Sequence, residues 1–328
     1  MSSGDRRQFL ALGSALLLTG ASAQAEQRAV ERPALSPSAG LPEAWVNAPS
    51  IPLWPGDPPG AGGFTPQPRP GDWSPLFLNN IVKPDLRVFH PARSNGHALL
   101  VVPGGAYWFI SSGNEGVETA RRMNELGMTV FVLTYRLPGE GWQGRSDVPL
   151  QDAQRAMRVI RANATHLGIN PDKLSVLGFS AGGHLAATLA TQHAEITYTK
   201  VDAADRLSAR PLTAGLVYPV VTMERPWTHA QSRSLLLGDN PTEAEVLRRS
   251  AEHHVDADTP PMFMVHSFDD GAVPIENSLR LVNAMREARR PVEAHLFQEG
   301  GHGFGVGHPN TPSEHWPAVF ASWLSRVG

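Results

Sequence analysis

Leu174-Ser175-Val176-Leu177-Gly178-Phe179-Ser180-Ala181-Gly182-Gly183-His184-Leu185, running on to Thr191, is the stretch on which the architecture turns. Leu174 to Leu177 reads as a short buried strand, and Ala181 to Thr191 as a helix built of small residues. The glycines at 178 and 182 mark a tight strand-to-helix turn. The same alternation extends in both directions. Upstream, Ala98 to Val102 is a continuous apolar run that stops at Pro103-Gly104-Gly105, and Thr129 to Leu133 is a second. Both suit strands covered on two faces. Glu115 to Leu126 has helical spacing and ends at Gly127. Leu150 to Leu167 places Ala153, Ala156, Met157, Ile160 and Ala164 on one face and ends near Gly168. Downstream come strands at Leu212 to Val217, Met262 to Val265 and Val292 to Leu296, with helices at Ile275 to Ala288 and Ser313 to Arg326. Leu86 to Phe89 reads as an edge strand. Strands alternating with helices of this length predict an α/β domain, a mostly parallel sheet with helices on both faces, over residues 51–328. The segment 222–258 reads as a small insertion over one end of the sheet.

Composition bounds the function. The 328 residues carry 28 Lys+Arg against 31 Asp+Glu, a formal charge of −3, which gives no footprint for nucleic acid. Hydrophobic residues make up 41%, enough for a sizeable core. Cysteine is absent, so disulfides, thiolate metal sites and a cysteine nucleophile are all excluded. The first 25 residues read as an address. Arg6-Arg7 precede Phe9-Leu10, a short apolar run from Ala11 to Leu18 follows, and Ala21-Ser22-Ala23-Gln24-Ala25 supplies an Ala-x-Ala end. The run is too short to span a bilayer. The paired arginines resemble the twin-arginine export signal, with Asp5 and Ala11 departing from its pattern. Cleavage is expected after Ala25 or Ala23, leaving a periplasmic or secreted chain with no stable membrane insertion. Residues 26–50, rich in Pro, Ala, Ser and Glu, read as a flexible linker. Residues 51–80 read as a Pro-rich arm packed on the domain through Trp54 and Trp73.

Gly178-Phe179-Ser180-Ala181-Gly182 is a Gly-x-Ser-x-Gly pentapeptide, and its place between strand and helix is the setting of a nucleophile elbow. A serine hydroxyl needs a base, usually a histidine oriented by a carboxylate. Two later loops supply both. His266-Ser267-Phe268-Asp269-Asp270-Gly271-Ala272-Val273-Pro274 follows one strand, and Gly300-Gly301-His302-Gly303-Phe304-Gly305 follows the next. Each falls at the carboxyl end of the sheet, where ligands bind in open α/β folds. His302 is the expected base. Asp270, which begins Asp-x-x-Val-Pro, is the expected acid, with Asp269 competing for that role or serving as a turn carboxylate. An oxyanion needs N–H donors. Ala181 supplies one, and Gly105 and Ala106, after the strand ending at Val102, are the other candidates. Tyr107, Trp108, Phe109, Trp142, Tyr218 and Trp227 are aromatics that could line a pocket. His184 reads as a helix residue tied to a backbone carbonyl. His253-His254 lacks a third ligand at helical spacing, so no metal and no organic cofactor is implied.

These residues resemble the bacterial α/β-hydrolase esterases close to acetylxylan and feruloyl esterases, and are similar to the hormone-sensitive-lipase branch. The resemblance rests on Leu53-Trp54-Pro55-Gly56, Pro103-Gly104-Gly105-Ala106-Tyr107, Gly178 to Leu185, Asp270-x-x-Val-Pro and Gly301-His302-Gly303-Phe304, spanning 51 to about 305. It departs at Pro103, where the lipase branch has His, and at Ala106, where many relatives have Gly. The resemblance implies the α/β-hydrolase fold and a serine esterase removing acyl groups, especially acetyl, from carbohydrate such as xylan or its oligosaccharides. Feruloyl or general short-chain ester hydrolysis is the alternative. A serine peptidase and a non-catalytic carbohydrate-binding protein are rivals. A peptidase of the oligopeptidase type carries a large propeller that a Pro-rich arm of this length cannot form.

Overall fold

The computed structural model describes residues 41–327. The export signal expected over 1–25 and the linker over 26–40 lie outside the described residues. Among the described residues the strands are β1 (Ser50–Pro52), β2 (Phe77–Leu78), β3 (Asp85–Phe89), β4 (Ala98–Val102), β5 (Ile110–Ser111), β6 (Thr129–Leu133), β7 (Leu174–Phe179), β8 (Ala214–Val217), β9 (Met262–Ser267) and β10 (Val292–Phe297). Eight make one sheet in the order β1-β3-β6-β4-β7-β8-β9-β10. It is antiparallel where β3 meets β1 and β6, and parallel from β6 to β10. β2 and β5 pair separately.

The helices are α1 (Glu43–Val46), α2 (Glu118–Glu125), α3 (Val148–Ala162), α4 (Ala164–Leu167), α5 (Ser180–Thr191), α6 (Ala230–Leu237), α7 (Glu243–Arg248), α8 (Glu276–Glu287) and α9 (Trp316–Val327). Period-two alternation splits the core into two layers. In β4, Ala98, Leu100 and Val102 join Ala153, Met157, Leu185 and Leu281 from α3, α5 and α8. Leu99 and Val101 face the other way, onto Met123 of α2 and Phe320 and Trp323 of α9. No helix among the described residues is long and apolar enough to cross a membrane.

Two expectations are corrected. The linker read over 26–50 is ordered domain from residue 43 onward: Trp45 of α1 is buried beneath Arg87, whose guanidinium lies 5.5 Å from its ring. One buried indole supplies an apolar anchor that a Pro/Ala/Ser composition hides. Leu86 to Phe89 is also not the edge, because β1 pairs along its outer side and takes the edge position itself, where Pro52 is tolerated.

The Pro-rich arm is fastened by buried polar contacts. The Trp54 indole N–H donates to Asp152 Oδ1 at 2.8 Å, and the Arg155 Nε–H donates to the Leu53 carbonyl at 2.7 Å. Asp152 and Arg136 form a fully buried ion pair at 2.8 Å, and Arg136 also donates to the Pro59 carbonyl. The insertion between β8 and β9 carries α6, α7 and a 3-10 turn at Ala251–His254. It is pinned by buried Arg249, which reaches Asp147 ahead of α3 at 2.5 Å and Glu195 after α5 at 2.8 Å.

Candidate active site

β7 runs into α5 through Ser180, whose φ of 51° is left-handed. This conformation is costly for a residue with a Cβ. Ala106 (57°), Tyr107 (62°) and Tyr218 (37°) share it, so four of the seven such non-glycine residues among those described meet around one point. Gly182 is the elbow's close contact: a Cβ there would run into the carbonyl oxygens of Val102 and Pro103.

The loops after β9 and β10 converge on Ser180. His302 Nε2 lies 2.9 Å from Ser180 Oγ, and His302 Nδ1 lies 2.7 Å from Asp270 Oδ2. Asp270 has no exposed side-chain surface. Its Oδ1 accepts the N–H groups of Ala272 (2.9 Å) and Val273 (2.8 Å), and its Oδ2 also faces His266 Nε2 at 3.1 Å. Burial would raise this carboxyl, but the His266 and His302 N–H groups outweigh it and hold it well below the usual carboxylate range. An ionised Asp270 only accepts, so Nδ1 of His302 carries the proton and Nε2 offers its lone pair to Ser180. Asp269 is turned elsewhere. Its Oδ1 accepts the N–H groups of Gly300 (2.9 Å) and Gly301 (2.8 Å), so it caps the His302 loop.

The loop after β4 lies against the elbow. A Cβ on Gly104 would stand 2.8 Å from Ser180 Cβ and 2.6 Å from the Phe179 carbonyl oxygen. The N–H groups of Gly105 and Ala106 make no hydrogen bond among the described residues, while those of Trp108 and Phe109 fold back onto the Gly105 carbonyl. Ala181 lies in the first turn of α5, where N–H groups have no helical partner. A hydroxyl, a base and free N–H donors at a helix N-terminus are the parts acyl transfer needs.

Three expected pocket aromatics are corrected. Tyr107, Trp142 and Tyr218 are buried because each polar tip has an internal partner. The Tyr107 hydroxyl meets His184 Nδ1 at 2.7 Å, and the Trp142 indole points to Glu140 with Arg136 over its ring. Tyr218 packs its ring 4.8 Å from that of His302. Phe109 is also buried, stacked on Phe77 at 4.3 Å. Trp108 stays exposed, edge-on to Trp73 at 4.7 Å, and Trp227 is half-buried. The pair His253-His254 divides: His253 Nε2 meets Glu224 at 3.0 Å and His254 Nε2 meets the Leu247 carbonyl. Glu224, Glu252 and His253 bring donor atoms together, but the Arg280 guanidinium already pairs with both carboxylates.

Sequence reasoning missed His266 and Glu115. His266 stands four residues before Asp270 and is locked by Ser278 Oγ at 2.8 Å from its Nδ1. Its position at the end of a buried strand was a usable signal. Glu115 was read only as a helix start, and nothing local marks it.

His184 Nε2–H donates to the Arg249 carbonyl at 2.7 Å while Nδ1 accepts from Tyr107, an arrangement that needs the neutral ring. Burial pushes its pKa from 6.5 down to about 4. Between these values the unfolded chain binds the proton and the folded chain does not, so stability is lost as pH falls. At about 1.4 kcal/mol per unit this contributes on the order of 3 kcal/mol. Denaturant titrations between pH 6.5 and 4 are expected to show this loss, and a His184→Gln variant a shallower one. Equal slopes in the two proteins would refute the assignment.

The BD-FAE family profile matches residues 86–285. The chain is 39% identical over 210 residues, 64% of its length, to Endo-1,4-beta-xylanase B of Butyrivibrio fibrisolvens, covering 33% of that protein. It is 31% identical over 239 residues, 71% of its length, to the acetylxylan esterase of Xylanibacter ruminicola, covering 46% of it. It thus spans between a third and a half of these relatives. Among solved structures, the acetyl ester-xyloside bifunctional hydrolase from Caldicellulosiruptor lactoaceticus superposes with a TM-score of 0.72 at 32% identity, over 86% of this chain and 97% of the other. Esterase 2 of Thermogutta terrifontis gives 0.63 at 25% identity, over 76% and 91%.

Proposed function

This chain belongs to the BD-FAE family and has the α/β-hydrolase fold of carbohydrate esterases, and from that premise we propose that it is a serine carboxylesterase. Its substrates are acyl, chiefly acetyl, esters of plant cell-wall carbohydrate such as xylan or xylo-oligosaccharides. The observation that carries the reaction is the hydrogen-bonded line from Ser180 through His302 to Asp270, beside free N–H groups. The acetylxylan esterase and the acetyl ester-xyloside hydrolase among its relatives support the substrate class.

Ser180 Oγ attacks the ester carbonyl and gives its proton to His302. Asp270 keeps His302 in the required tautomer and stabilises the imidazolium. Gly105, Ala106 and Ala181 donate to the oxyanion. The C–O bond to the sugar breaks and the alcohol leaves with the His302 proton. Water then gives a proton to His302 and its oxygen to the acyl carbon, releasing the acid and restoring Ser180. Trp108, which is exposed, and Trp227, which is half-buried, are the aromatics proposed to meet a sugar. The amino-terminal signal makes this an exported enzyme, periplasmic or secreted, which N-terminal sequencing of the exported protein tests.

A hydrolysis screen of acetylated xylo-oligosaccharides, feruloyl esters, short aryl esters and aminoacyl amides checks the assignment. Acetate release from the xylo-oligosaccharides is expected to lead in kcat/KM. A lead for feruloyl esters would move the acyl preference, and hydrolysis of the amides alone would overturn the esterase reading.

A further inference from the structure

Between β5 and α2 the backbone winds through a single π-helical turn, Gly113–Val117. Such turns are rare in proteins and concentrate at functional sites. Two of its side chains grip the two loops that bracket Ser180. Glu115 Oε2 accepts the Gly104 N–H at 2.7 Å, in the loop that carries the Gly105 and Ala106 N–H groups. Glu115 Oε1 accepts the Tyr218 hydroxyl at 2.9 Å, and that hydroxyl accepts the Gly305 N–H at 3.0 Å. Asn114 Nδ2 donates to the Gly303 carbonyl at 2.9 Å. Gly303 and Gly305 lie just beyond His302 on the same loop.

We propose that Glu115 is a positioning residue of the hydrolytic reaction. Its carboxylate ties Gly104 and, through Tyr218, Gly305, and so holds the oxyanion loop and the His302 loop in register on either side of Ser180. Asn114 is the second grip. The inference rests on the reading of Ser180, His302 and Asp270 as the catalytic groups.

A buried carboxylate is expensive to keep and would be replaced by an apolar residue if it merely filled space. Here both oxygens are used, and each lies on a path to a different catalytic loop. The Gly305 N–H must donate, so the Tyr218 proton is directed to Glu115. Burial pushes the Glu115 carboxyl up, while the Gly104 N–H, the Tyr218 hydroxyl and charge on His302 oppose that push. The groups around His302 are Asp270 in direct contact, Tyr218 beneath the ring, Glu115 beyond Tyr218, and His229 at the start of the insertion helix α6.

The test compares Glu115→Gln and Tyr218→Phe with the wild-type enzyme on an aryl acetate, with thermal unfolding and fluorophosphonate labelling as controls. Glu115→Gln is expected to lower kcat by about tenfold to a hundredfold with KM little changed, because misplacement acts on the transition state. Active-site titration with the fluorophosphonate separates a lower kcat per folded enzyme from a loss of folded protein. Tyr218→Phe keeps the carboxylate and loses the tie to Gly305, so kcat falls with KM little changed. If both variants fold and keep wild-type kcat, the proposal is overturned. If Glu115→Gln does not fold, Tyr218→Phe and Asn114→Ala decide: loss of kcat at unchanged KM supports the proposal, and unchanged kcat overturns it. Wild-type protein that neither turns over the ester nor labels at Ser180 overturns the catalytic reading instead.

Discussion

Ser180→Ala is expected to lower kcat on an aryl acetate by on the order of 10⁶-fold while leaving the melting temperature almost unmoved. The hydroxyl is the only atom removed. It lies 2.9 Å from His302 Nε2 and is not a cap or a strut for any other element. Alanine carries the same Cβ at the same φ of 51°, so the elbow keeps its strain and its shape. What survives is the rate that bound water can reach with the N–H donors of Gly105, Ala106 and Ala181 still in place. Steady-state turnover, fluorophosphonate labelling and a thermal melt check the three parts of this expectation. A folded variant that kept most of its activity would place the nucleophile elsewhere.

The second large effect is at the carboxylate. Asp270→Asn is expected to lower kcat by roughly 10⁴-fold with the fold intact. Asp270 Oδ1 accepts two backbone N–H groups, so an asparagine turns its oxygen to that side and its NH₂ toward the two imidazoles. Oδ2, which met His302 at 2.7 Å and His266 at 3.1 Å, is then a donor. A donor there draws His302 into the tautomer with its proton on Nε2, facing Ser180, where it cannot act as a base. Asp269→Asn is the comparison: its two acceptor contacts to Gly300 and Gly301 survive in the amide, and turnover stays near wild type. Equal losses in the two variants would sink the distinction between them.

Much of this arrangement is legible in the amino-acid sequence. The strands β4, β6 and β9 are each announced by an apolar run between turn residues, because a strand buried on both faces has no polar side to show. Ser180 was marked by Gly178 and Gly182, and His302 and Asp270 by their places just after the strands from 292 and 262. The readings that failed were those that depended on what a side chain meets far away. Tyr107, Trp142 and Tyr218 sit near the site in sequence order, but their tips are taken by His184, Glu140 and Glu115. Trp45 lay in a stretch whose composition reads as tether, and its burial depends on Arg87 and the neighbouring core residues, some forty residues or more along the chain.

Local pattern therefore settled the class of fold, the alternation of its central strands and helices and the three residues most worth testing, since periodicity and turn chemistry act between near neighbours. The turning of Asp269 onto the His302 loop, the second imidazole on Asp270, and the Glu115 tie between two loops were set only when β4, β8, β9 and β10 lined up side by side. A hydrogen bond is made or lost over about half an ångström, and that margin is set by packing across the whole sheet.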